Sequence, residues 1–71
     1  MNLTPHPDAD GLARAITSTV NRYWDNCMSH PTFKSHLRSL WGTVLAKGLA
    51  EPVTERLDPG VLNALERVGG R

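Results

Sequence analysis

Two apolar stripes organise the chain. Leu12, Ile16, Val20, Tyr23, Trp24 and Cys27 recur at steps of three and four, and Phe33, Leu37, Leu40, Trp41, Val44, Leu45 and Leu49 do the same further on. At about 100° of rotation per residue, each set falls along one side of an α-helix, with Arg14, Thr17, Ser18, Asn21, Arg22 and Asp25 on the other side of the first. The stripes meet at Ser29-His30-Pro31, a connection short enough to join antiparallel neighbours. Proline disfavours helical geometry in the residue before it yet suits a first helical turn, where an amide proton has no partner. The pattern therefore predicts a helix over residues 9–28, capped by Asp8 or Asp10, and a second from about Pro31 to Lys47 or Leu49, capped by Ser29 or His30.

Punctuation sets the remaining elements. Gly48 is a natural helix stop, and Gly42, inside the second helix, implies a bend or a backbone passing close by. Glu51-Pro52 breaks the chain, leaving at most one short helical turn from Pro52 to Leu57 that carries Val53 and Leu57. Asp58-Pro59-Gly60 is a start signal for a last helix through Val61, Leu62, Leu65 and Val68, closed by Gly69-Gly70. The proline-rich stretch 1–8 reads as a flexible lead-in to a single helical domain over 9–69.

The expected fold is all-α: an antiparallel helical hairpin plus a short third helix on its open side. The second stripe spans nearly half the helix circumference, more than one similar neighbour hides, so two hairpins are expected to pair as a four-helix-like homodimer. Size points the same way, because a chain of 71 residues buries only roughly 60% of the surface its unfolded form exposes. A single cysteine excludes an internal disulfide, and the first residues lack the basic and apolar runs of a signal peptide. No apolar run reaches the roughly 20 residues that cross a bilayer. The expectation is a cytoplasmic protein with no membrane partner.

The net charge of +1 is unevenly spread. Residues 29–49 contain Lys34, Arg38 and Lys47, together with His30 and His36, and no carboxylate. Positive charge near the start of a helix opposes the helix dipole, so local stability does not account for this placement. Two readings follow: an anion site facing phosphate or a partner's carboxylates, or a solvated face balanced by Asp8, Asp25 or Glu51.

Other candidate chemistry is thin. Cys27-x-x-His30, with His36 and His6, is the only spacing suggestive of metal, but a zinc site wants a second close pair of ligands, and Cys27 on the apolar stripe reads as a core thiol. No carboxylate is placed to orient a Cys–His pair and no glycine-rich oxyanion loop is present, so no catalytic residue, metal or cofactor is expected and the chain is not read as an enzyme. Tyr23, Trp24 and Trp41 could stack on bases, but their spacing is that of core positions; whichever tryptophan is left exposed becomes the binding anchor. A helix-turn-helix over Val44 to Val68 would offer only Asn63 and Arg67 to read bases.

By subtraction, the expected function is a small non-enzymatic regulator or inhibitor that binds a surface of a larger intracellular protein, with His30, Lys34, His36, Arg38, Trp24 and Trp41 as the partner-binding candidates. Helical chains of this size are common in phages and other mobile elements, an association that no residue here carries. The alternative is a small dimeric DNA-binding transcriptional regulator.

Overall fold

The computed structural model describes residues 6–69, and these form four helices with no strand among the described residues. They are α1 (Pro7–Trp24), α2 (His30–Ala46), α3 (Ala50–Glu55) and α4 (Pro59–Gly69). Most of the expected lead-in, residues 1–5, lies outside the described residues, whereas Pro7 and Asp8 already belong to α1. The third element is a separate helix that begins at Ala50, so the fold has one helix more than the apolar pattern suggests. Pro52 does not break it: the proline occupies the third helical position, where a missing amide proton costs no intrahelical bond.

The start of α1 is also capped differently. His6, not Asp8 or Asp10, is the N-cap, its Nδ1 accepting from the Ala9 amide at 3.4 Å, with Pro7 in the first turn. Asp8 and Asp10 sit in that first turn, where their charge suits the helix dipole. Asp10 additionally accepts from Arg56 Nε at 2.6 Å, while Arg56 Nη1 donates to the Pro52 carbonyl at 2.8 Å. Arg56 thus ties the end of α3 to the first turn of α1, with its side chain only 8% exposed.

The core is one cluster to which every helix contributes. Ala9, Ala13, Ile16 and Val20 of α1 meet Phe33, Leu37 and Val44 of α2, closed over by Val53 of α3, Leu57 after it, and Val61 and Leu65 of α4. The buried face of α1 begins with small residues, Ala9 and Ala13, which let neighbouring helices approach, and continues with the larger Ile16 and Val20; Leu12 and Tyr23 are partly buried against the same core. Thr19, the one polar side chain in this interior, donates its hydroxyl to the Ala15 carbonyl at 2.8 Å and so is buried without an unmet hydrogen bond.

The second stripe is narrower than its sequence implies. Leu37 is wholly buried, but Trp41 and Leu40 are half-buried at the margin of the core, and Leu45 is 57% exposed. Gly42 does not interrupt α2, which runs through it, and it receives no close neighbour, since the space around it is open.

Helix α1 ends four residues earlier than the stripe suggests. Asp25 is the C-cap and Asn26 adopts a left-handed conformation (φ 63°). The Cys27 amide donates to the Arg22 carbonyl at 2.9 Å and the Asn26 amide to that of Tyr23 at 3.0 Å, the paired bonds of a Schellman stop. Asparagine is, after glycine, the residue best able to adopt this geometry. Cys27 is consequently an exposed free thiol in the turn, not a core residue, and Trp24 is left on the last helical turn, 68% exposed.

Candidate binding groove

The early stop of α1 opens a groove at this end of the molecule. Its walls come from three helices: Val20, Tyr23 and Trp24 from α1; His30, Phe33 and Lys34 from α2; Gly60, Asn63, Ala64, Arg67 and Val68 from α4. The volume is about 460 Å³, within the range of ligand-sized clefts. Each contribution has helical spacing, so the lining is held on rigid elements rather than on a loop.

Aromatic contacts hold the floor. Tyr23 stacks on Phe33 with ring centroids 4.3 Å apart and planes at 15°, and Phe33 is itself buried. Trp24 and His30 lean on the same tyrosine at 5.9 and 5.8 Å. His30 Nδ1 lies 3.3 Å from the Tyr23 hydroxyl, which orients both polar tips at the groove edge. Helix α2 begins here because Ser29 caps it, its hydroxyl oxygen accepting from the Thr32 amide at 3.4 Å, with Pro31 in the first turn. That cap sets His30 and Lys34 one turn apart on the side of α2 that faces the groove.

The electrostatics of the lining are one-signed. Lys34 comes from α2 and Arg67 from α4, and no described lining residue is a carboxylate. Neither cation makes an ion pair among the described residues. Asp8, Asp25 and Glu51, the carboxylates expected to neutralise the basic half of α2, form no such pair with it among those residues.

The six partner-binding candidates separate. Trp24, His30 and Lys34 come together at the groove. Arg38 lies one turn further along α2, in a shallow adjoining recess that shares His30 and Lys34. His36 faces another way, in a depression formed by α2 alone with Pro31, Thr32, Ser35 and Ser39. Trp41 packs at the margin of the core. Sequence reasoning missed Tyr23 as a groove residue, and it weighed Asn63 and Arg67 only as base readers. The signal for the last two was their spacing of three and then four residues from Gly60 along one edge of α4.

Among the described residues, no group of three or more His, Cys, Asp or Glu is placed to hold a metal ion, so Cys27, His30 and His36 do not converge. No helix among them is long and apolar enough to cross a membrane. In comparisons with known proteins, no family model matches the chain, and neither a curated protein nor a solved structure matches it.

Proposed function

We propose that the protein is a non-enzymatic regulator or inhibitor that works by docking a surface of a larger intracellular protein into the groove between α1, α2 and α4. The observation that carries this reading is Trp24: a tryptophan 68% exposed in the lining of the groove. Large exposed aromatics at the edge of a pocket are the side chains that dominate binding hot spots. The lining supplies apolar contact and two cations. Within this proposal α1 and α2 form an antiparallel hairpin whose open side is covered by α3 and α4. Exposed Leu45, one turn after half-buried Trp41, supports pairing with a second copy along the far end of α2 from the groove. A free thiol at Cys27 supports the cytoplasm as the setting.

The deciding experiment is affinity capture from native cell extract with the parent chain and with Trp24→Ala, each with and without nuclease. The expected result is a discrete protein that resists nuclease and is lost with Trp24→Ala, while the variant keeps the parent's far-UV circular dichroism. Capture that disappears with nuclease would favour the DNA-binding reading, and capture unchanged by the substitution would remove the groove from the function.

A further inference from the structure

We infer that the groove is built for an acidic segment of a partner protein, one that seats a large apolar side chain against Trp24 and Val68 and sets carboxylates beside Lys34 and Arg67. This deepens the docking proposal above and rests on it.

The argument begins with charge. A lysine of α2 and an arginine of α4 line one groove, and neither makes an ion pair among the described residues. The sequence had carboxylates to spend nearby, since Asp25 follows Trp24 and Glu66 precedes Arg67. Neither lines the groove. On α4 the lining positions are 60, 63, 64, 67 and 68, a single helix face that includes the arginine and leaves its acidic neighbour on another. On α2 the lining residues His30, Phe33 and Lys34 belong to the stretch 29–49 that has no carboxylate at all. An anionic partner would find complementary charge at both walls, and a cationic one would meet repulsion at both, which is how rim charges impose specificity.

Between the cations the floor is apolar and aromatic. Over the buried Val20 and Phe33, the part-exposed Ala64 and Val68 offer contact to an aliphatic or aromatic side chain, and Trp24 supplies an exposed ring to close over it. A bare polyanion uses none of that floor. A nucleic-acid strand could stack a base on Trp24, but single-strand binders line a continuous basic track along the backbone path. Here Arg38 is the one further cation on this side of α2, and it belongs to the adjoining recess. Apolar floor with cationic walls matches an acidic peptide with apolar anchors, of the kind read by grooves between helices.

The test is selection of random displayed peptides on the immobilised full chain, with Trp24→Ala used for counter-selection. The expected winners carry an aromatic or leucine anchor flanked by Asp and Glu. Their synthetic versions should bind the parent with an affinity that falls as salt rises. Binding should weaken by about three- to tenfold with Lys34→Gln combined with Arg67→Gln, as expected for two exposed charge pairs. Exchange of the peptide's acids for amides should have a similar effect, and Arg38→Gln should have little. All variants are checked by far-UV circular dichroism. Winners that are neutral or basic would overturn the acidic inference and leave the docking proposal standing. Failure to enrich anything over Trp24→Ala would sink both. Displacement of the selected peptide by single-stranded oligothymidine at equal or lower concentration would assign the groove to nucleic acid and overturn the inference.

Discussion

The protein turns twice with the same backbone device, and the two turns have opposite consequences. Helix α2 stops at Gly48 (φ 68°), where the Leu49 amide donates to the Val44 carbonyl and the Gly48 amide to that of Leu45, the same paired bonds that end α1 at Asn26. After Gly48 the chain folds back at once. Leu49 and Ala50 are half-buried, and Val53 is wholly buried three residues into α3. After Asn26 the turn itself stays largely outside: Cys27 is exposed and only Met28 of the turn packs against the core before α2 begins at His30. One end of the bundle is sealed by apolar residues that follow the stop. The other is left open as a groove, and the difference lies in what comes next in the sequence, not in the stop itself.

The sealed end should carry stability. Val53 is 0% exposed, and Val53→Ala removes two methyl groups where the surroundings cannot collapse fully, at a cost of about 2 to 3 kcal/mol. For a domain of this size that corresponds to a melting midpoint lowered by roughly 10 to 20 °C. Thermal melts followed at the helical band check this. A shift of a few degrees or less would mean that α3 merely decorates the bundle, and the contrast between sealed and open ends would fail.

The stops themselves should matter less, and unequally. Asn26→Val forces a β-branched residue into a left-handed conformation, at about 1 to 2 kcal/mol, whereas Asn26→Gly relieves what strain asparagine carries and should stabilise by about 0.5 kcal/mol. Gly48→Val should cost at least as much as Asn26→Val, because glycine starts from no strain. Denaturant titrations of the three variants give the order. If Asn26→Val were neutral, the left-handed stop would not be what ends α1, and the exposure of Trp24 would need another cause.

This asymmetry also marks what was legible in the sequence. The all-helical class, the stop at Gly48 and the start at Pro59 could be read because glycine and proline announce backbone geometry by themselves. Asn26 makes no such announcement. Its left-handed conformation is one option among several, so the apolar spacing of Trp24 and Cys27 carried the expected helix past it. From that one extension came the misplacement of Cys27 in the core, while the spacing left open whether Trp24 or Trp41 is the exposed tryptophan. Helix α3 was hard to see for a related reason: Pro52 reads as a breaker unless its place within the first turn is known. The groove was half visible. His30 and Lys34 stood out as cations without carboxylates, but Arg67 joins them only through the packing of α4, a long-range fact that spacing within one helix does not contain.

The open end should contribute almost nothing to stability, and there the comparison is sharpest. Trp24 is the largest apolar side chain in the exposed part of the groove, and at 68% exposure its replacement by alanine should change the folding free energy by less than about 0.5 kcal/mol, the range of ordinary surface substitutions. Its neighbour Tyr23 keeps its stack on Phe33 without it, so the aromatic floor survives. In a Trp41→Phe background the remaining tryptophan, Trp24, should emit at long wavelength and be quenched readily by acrylamide. In Trp24→Phe, the half-buried Trp41 should emit further to the blue and resist quenching. Equal quenching would mean that Trp24 is covered in solution, by a second copy or by the chain's own ends. A large loss of stability on Trp24→Ala would make it a structural residue. Either result would close the end of the molecule on which the docking proposal depends. A tryptophan that costs nothing to remove from the fold and is readily quenched is instead a side chain held ready for a partner, since burying its ring on binding recovers apolar contact that folding left unused.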